Sequence, residues 1–222
     1  MKRTIAGVLF YCLVSITASG QEDSSFHNYL YDSRTNYFNQ LPPQKKSVIF
    51  FGDSITQWGD WSELFGFRKI LNRGIAGDNT YGLLARIDEI IRHDPKKIFI
   101  LVGTNDLNKK STIASIVRTY GSIIDALKKQ LPATKIYVQS VLPINEQLIN
   151  RQYYSGTNEQ ITDLNTALKG MAASMQVTYV DLYNSLLDDR RQLKAGYTYD
   201  GLHLSGNGYL AWVKLLTNRK LL

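Results

Sequence analysis

The chain has 222 residues, 44% hydrophobic and 20% charged, an ordinary globular composition that is long enough for one substantial core and short for two. Its formal net charge is +7, with a pI near 9.3. The basic residues are scattered as small pairs, Lys45-Lys46, Lys96-Lys97, Lys109-Lys110, Lys128-Lys129 and Arg190-Arg191, which argues against a nucleic-acid footprint and leaves an anionic substrate or surface open.

Met1 to Gly20 reads as a cleavable export signal. Lys2 and Arg3 precede an apolar run from Ile5 to Ile16, and Ala18-Ser19-Gly20 offers small residues before a cut at Gln21. The run is short for a membrane span. The only cysteine, Cys12, lies inside it, so the mature chain is expected to have no disulfide and no cysteine metal site. Loss of Lys2 and Arg3 leaves 24 basic against 19 acidic side chains, and the expected location is periplasmic or extracellular.

Residues 21–44 form a polar, tyrosine-containing lead-in closed by Pro42-Pro43, in which Tyr29 to Phe38 suits either a short helix or an extended arm. The domain expected over 45–222 alternates two periodicities. Runs rich in β-branched and aromatic residues predict strands at Val48–Phe51, Lys69–Asn72, Ile98–Val102, Ile136–Ser140 and Val177–Asp181. Helical spacing of apolar residues predicts helices at Trp58–Phe65, Tyr81–Ile91, Ile113–Leu131, Thr157–Met175 and Ser205–Leu216. Five strands each followed by a helix imply an α/β fold with a parallel sheet covered on both faces. Two longer connections, Leu142–Gly156 and Leu186–Leu204, leave the carboxyl ends of strands, where loops shape substrate sites.

The chemistry gathers at that edge. The first strand ends abruptly in Gly52-Asp53-Ser54, which delivers a serine hydroxyl to a strand tip. Taken alone, a serine there is as well explained as a helix cap. The turns after the second and third strands, Gly74-Ile-Ala-Gly77-Asp78-Asn79 and Gly103-Thr104-Asn105-Asp106, fall on the same edge. An acyl carbon attacked by Ser54 develops negative charge on its oxygen. The Ser54 N–H, a glycine N–H and the Asn105 amide are donors that such an oxygen needs. Ser54 also needs a base. Of three histidines, His27 sits in the lead-in and His93 precedes the third strand at the opposite edge, whereas His203 precedes the last helix and reaches the serine's edge. Asp200 can fold back through Gly201 to orient the His203 imidazole.

Gly52-Asp53-Ser54, the glycine of Arg73-Gly-Ile-Ala-Gly77, Gly103-Thr-Asn105-Asp106 and Asp200-Gly-Leu-His203 together resemble the four ordered sequence blocks of the SGNH, or GDSL, hydrolase superfamily. The resemblance implies a flavodoxin-like three-layer α/β/α sandwich with a five-stranded parallel sheet. It implies Ser54, Asp200 and His203 as a triad, Ser54, Gly77 and Asn105 around the oxyanion, and no metal or organic cofactor. Asn72 to Asp78, Val138 to Glu146 and Asp200 to Tyr209 look most similar to the compact branch that includes platelet-activating-factor acetylhydrolase-like proteins and bacterial sialate or other carbohydrate O-acetylesterases. Thr56-Gln-Trp-Gly-Asp60 departs from the acidic residue and glycine common in relatives, a change expected to bear on the pocket rim.

Arg73 ends the second strand, where it suits a structural salt bridge or an anionic substrate; Asn145 suits the pocket lining. Asp53, Asp78 and Asp106 read as caps and loop braces. The expectation is an exported serine esterase for short acyl groups on a small molecule or glycan. A lysophospholipase or thioesterase of the same mechanism and a non-catalytic glycan-binding module are its rivals.

Overall fold

A computed structural model describes residues 24–66 and 69–222, so the expected export signal lies outside the described residues. In chain order the elements are α1 (Tyr29–Gln40), β1 (Val48–Gly52), α2 (Ser54–Gln57), α3 (Trp61–Phe65), β2 (Ile70–Gly74), α4 (Thr80–Ala85), α5 (Ile87–Ile91) and β3 (Lys97–Leu101). Then follow α6 (Thr104–Asn108), α7 (Ile113–Gln130), β4 (Lys135–Gln139), α8 (Asn158–Ser174), β5 (Thr178–Val180) and α9 (Gly206–Asn218). The strands form one sheet in the order β2-β1-β3-β4-β5, and every pairing is parallel.

This order reverses direction at β1. The chain steps from β1 outward to β2, returns to β3 on the other side, and continues to β4 and β5. Loops at the carboxyl ends of β1 and β3 therefore part there, opening the crevice in which α/β sheets bind ligands.

The two faces of the sheet are chemically different. Ile49, Phe51, Ile98, Ile100, Ile136 and Val138 point into a largely aliphatic layer that also holds Leu83 of α4, Tyr120 of α7 and Leu164 of α8. Their neighbours along each strand point the other way. Phe50, Phe99 and Tyr137 are paired in register across β1, β3 and β4. Their rings stack at 5.0 and 4.5 Å, and Trp61 of α3 stacks on Phe50 at 4.0 Å, with Trp212 of α9 edge-on to Trp61. Strand alternation thus builds two cores, and α3 with α9 seals the aromatic one.

Several elements differ from their sequence prediction. The helix predicted over Tyr81–Ile91 is two helices broken at Arg86, whose backbone leaves the helical region at φ −110° while its buried guanidinium is drawn to Asp78 and to the Gly52 and Arg73 carbonyls. The helix predicted from Trp58 begins at Trp61, because Ser54–Gln57 forms a separate turn ending at Trp58. Strand β5 is shorter than predicted, and α6 was not anticipated. The lead-in adopts the helical alternative: Asn28 caps α1, and Tyr31 and Phe38 pack with Ile75 just beyond β2.

Candidate active site

Ser54 is placed by a tight local structure. A Cβ at Gly52 would collide with the Leu101 carbonyl oxygen of β3 and with Thr56, so only glycine lets β1 approach and turn there. Asp53 caps α2 by accepting the Ile55 N–H at 3.0 Å. Ser54 follows as the first helical residue, 8% exposed, with its Oγ 2.9 Å from His203 Nε2. Tyr209 of α9 donates its hydroxyl to the Ile55 carbonyl at 2.7 Å, which ties the helix after His203 to the turn that carries Ser54.

His203 is oriented from its other nitrogen. Nδ1 lies 2.6 Å from Asp200 Oδ2, while Asp200 Oδ1 accepts the backbone N–H groups of Leu202 and His203 at 2.9 and 2.8 Å. With a proton on Nδ1, the Nε2 lone pair faces the Ser54 hydroxyl. Gly201 takes φ 84°, and a Cβ there would stand 2.7 Å from the Asn145 carbonyl oxygen and 2.6 Å from the Ile149 nitrogen. Partial burial pushes the Asp200 carboxyl up, but the bonds from His203 and Leu202 outweigh it and hold the group below the usual carboxylate range. Asp200 is therefore favoured as the anion beside the imidazole.

Gly77 and Asn105, expected around the oxyanion, are held close to each other. Gly77 takes φ 81°, and among the described residues no backbone acceptor occupies its N–H or that of Ser54. Asn105 Nδ2 donates to the Asp78 carbonyl at 2.8 Å, which seats the amide against the Gly77–Asp78 segment and leaves its second N–H for another acceptor. Gln57 Oε1 accepts the Ala76 N–H at 2.6 Å, and Asn72 Nδ2 holds the Gln57 and Gly59 carbonyls at 2.9 Å. The departure at Gln57 thus braces the glycine loop, where the sequence suggested only a rim effect.

Beneath this surface lies a buried acidic layer. Asp106 accepts the Thr80 N–H and hydroxyl, and Asp78 pairs with Arg86 at 2.8 Å. Among the described residues, Asp53 Oδ2 has no hydrogen-bond partner. Burial is the main cause that pushes the Asp53 carboxyl up to about 7, with Asp78 and Asp106 adding to it, and burial raises Asp78 to about 6 against the pull of Arg86. Asp106 is raised too, again by burial first.

Two residues considered for substrate binding are engaged elsewhere. Arg73 is 5% exposed: it donates to Glu89 at 2.9 Å and to the Asn72 carbonyl at 3.0 Å, and packs over Phe38, so the salt-bridge alternative describes it. Asn145 is equally buried; its Nδ2 donates to the Leu193 carbonyl at 2.9 Å, its Oδ1 accepts the Gln147 N–H, and its backbone N–H reaches the Gly201 carbonyl at 2.8 Å. It braces the loop before His203. Trp58 was missed. Its half-exposed indole stacks on His203 at 4.0 Å, and its place at the end of a block of fixed turns was the only signal in the sequence. Among the described residues, no group of three or more His, Cys, Asp or Glu side chains is disposed to hold a metal ion, and no helix is long and apolar enough to cross a membrane.

The model of the GDSL-like lipase/acylhydrolase family matches residues 50–211. Platelet-activating factor acetylhydrolase IB subunit alpha2 of Rattus norvegicus is 29% identical over 172 residues, 75% of this chain and 72% of that protein. A solved structure from Streptococcus pneumonia, described provisionally as a platelet activating factor, is 36% identical and superposes with a TM-score of 0.79 over 86% of this chain and 92% of its own. A mutant of an acetyl-xylooligosaccharide esterase from Geobacillus Stearmophilus shares the fold at 18% identity, with a TM-score of 0.63 over 80% of this chain and 94% of its own.

Proposed function

The chain belongs to the GDSL-like lipase/acylhydrolase family and is a carboxylic ester hydrolase, and we propose that it removes short acyl groups, acetyl above all, from carbohydrates outside the cytoplasm. The observation that carries the reading is the continuous relay from Ser54 Oγ through His203 to Asp200, at 2.9 and 2.6 Å.

In this mechanism His203 Nε2 takes the Ser54 proton as Oγ attacks the ester carbonyl. The oxyanion is received by the Ser54 and Gly77 N–H groups and the free N–H of the Asn105 amide. His203 then protonates the departing alcohol, and the same imidazole activates the water that releases the acyl group from Ser54. Asp200 stays ionised throughout and stabilises the imidazolium. The scheme uses no metal and no organic cofactor.

Three considerations favour this substrate class. The curated relative is an acetylhydrolase by name, which supports a short acyl group. The scaffold also serves an acetyl-xylooligosaccharide esterase, which supports a sugar alcohol as leaving group. Exposed Trp58 beside His203, and exposed Tyr199 immediately before Asp200, present flat rings with polar edges that suit stacking on sugars. Export rests on the Met1–Gly20 leader pattern.

Hydrolysis of nitrophenyl esters of increasing acyl length, with acetate release from O-acetylated sialic acid and acetylated xylan, tests the reading. Activity confined to the shortest esters together with acetate release from a glycan is the expected result. A preference for long acyl chains would move the assignment to lipid or thioester hydrolysis, and inactivity on every ester would favour a glycan-binding module.

A further inference from the structure

Lysine pairs that are distant along the chain converge at the amino edge of the sheet, opposite Ser54. Lys45 and Lys46 lead into β1, Lys96 and Lys97 into β3, and Lys135 opens β4. The register sets Lys97 directly beside Lys135, and the backbone bonds Lys135 N to Lys96 O, 3.0 Å, and Lys96 N to Ser47 O, 2.8 Å, hold these segments side by side. Helix α7 runs back from the carboxyl edge and delivers Lys128 and Lys129 to the same side. Five-residue strands separate this edge from the serine by about 15 Å.

Two clefts open among these lysines, of about 570 and 320 Å³, and both are lined by Thr134 and Lys135. Lys128, Tyr137, Gln176 and Thr178 also line the larger, beside apolar residues such as Leu131 and Val177, and Lys46, Asp94, Lys96 and Lys97 also line the smaller. Of the lysines named here, only Lys46 meets a carboxylate among the described residues, Asp94 at 2.8 Å. Lys97 and Lys128 donate to the Leu221 and Met175 carbonyls at 2.7 and 2.8 Å. Burial first, and then Lys135, pushes the Lys97 ammonium below the usual lysine range, as unneutralised like charges held in register require. None of the exposed large apolar side chains lines either cleft.

We propose that this amino edge docks an acidic polysaccharide, a sugar chain bearing carboxylates, which lies along the two adjoining clefts between Lys46 and Lys128. The charge is complementary, the hydroxyl and amide groups of Thr134, Thr178 and Gln176 suit sugar hydroxyls, the apolar Leu131, Pro132, Ile136 and Val177 of the larger cleft suit the C–H faces of sugar rings, and a concave site fits a chain better than a flat bilayer. Neither cleft offers the exposed aromatic rings on which single-stranded nucleic acid stacks. Docking there would leave the Ser54 edge free to meet ester groups on the same or a neighbouring chain.

Affinity electrophoresis through polygalacturonate, with neutral pullulan as reference, tests the proposal on the purified protein, the Lys96→Gln/Lys135→Gln variant and the charge-matched Arg190→Gln/Arg191→Gln variant. The expected result is retardation by polygalacturonate alone, a dissociation constant raised about tenfold in the lysine variant and little changed in the arginine variant, and weakening by salt. Nitrophenyl acetate hydrolysis should be the same in all three, which shows that the variants are folded and separates this test from the esterase reading. No retardation, or equal weakening by both variants, would overturn the proposal. So would dependence on Lys96 and Lys135 only for phosphatidylglycerol vesicles or single-stranded DNA.

Discussion

The Trp58 indole lies against the His203 imidazole, with ring centroids 4.0 Å apart and planes inclined by 30°. One surface of the indole covers the group that, in the proposed mechanism, becomes cationic when Ser54 loses its proton, and about half of the side chain faces solvent. An aromatic face in that position stabilises an imidazolium and shields it from water. Trp58→Ala should therefore lower kcat for nitrophenyl acetate roughly 2- to 30-fold, the range corresponding to a cation–π contact of about 0.5–2 kcal/mol. Trp58→Phe should retain most of the rate. If the exposed side of the indole also carries a sugar, the alanine variant raises KM for acetylated xylan more than KM for the nitrophenyl ester. Steady-state kinetics on both substrates separates the two effects, and an unchanged kcat would remove Trp58 from the chemistry.

Asp200→Asn keeps the size of the side chain and removes its charge. The amide can no longer hold Nδ1 as a donor to an anion, so the imidazole loses the tautomer that faces Ser54. We expect kcat to fall by about 10²–10⁴ with the circular dichroism unchanged. The smaller end of that range suits a carboxylate whose side chain is half exposed. A variant with wild-type kcat would assign Asp200 to loop structure alone.

Asn105→Ala removes one of the proposed oxyanion donors and the bond to the Asp78 carbonyl. The donor accounts for a loss on the order of 10²–10³ in kcat. Asn105 is only partly buried, so the melting temperature should change little. Rate and thermal denaturation measured on the same preparation distinguish a lost donor from a disordered loop, which would lower both together.

Burial holds Asp53 at about 7 and Asp78 at about 6. In the unfolded chain both carboxyls release their protons near pH 4. Between about pH 4 and 7 the folded protein therefore binds more protons than the unfolded chain, and the contribution of these groups to stability is lost as pH rises through that window. Asp53→Asn keeps a capping side chain at the start of α2 and removes the charge. Its melting temperature relative to wild type should climb from pH 5 to pH 8, corresponding to a gain of a few kcal/mol at most, on the order of 1.4 kcal/mol per shifted pH unit. Groups held low, such as Glu89 and Asp200, act in the opposite sense and are common to both proteins. A difference between the two proteins that is flat across this range would show that Asp53 is not held protonated.

Much of this arrangement is legible in the sequence because it depends on short-range rules. Apolar runs such as Val48–Phe51 and Ile98–Val102, rich in β-branched and aromatic residues, read as buried strands, and a glycine with a polar residue after each marks the edge where chemistry collects. His203 was selected over His93 by the side of the sheet on which each emerges, and His93 is fully buried against Glu89 in the structure. What escaped the sequence depends on three-dimensional neighbours. Arg86 breaks a helix of good periodicity because Asp78 and two strand-end carbonyls draw in its guanidinium. Asn145 carries a side chain that could bind substrate, yet its amide is taken by the Leu193 carbonyl, 48 residues away, and although a salt bridge was expected at Arg73, its partner Glu89 is not legible in the sequence. Lysine pairs that look scattered along the chain are gathered because parallel strands all begin at one edge.

The most direct test of the account is kcat/KM for nitrophenyl acetate, measured on Ser54→Ala beside the wild-type chain, with both shown to be folded by circular dichroism. Attack by Ser54 Oγ under the control of His203 predicts a loss on the order of 10³–10⁶ in the variant. Hydrolysis by Ser54→Ala at the wild-type rate would contradict it and place the nucleophile elsewhere.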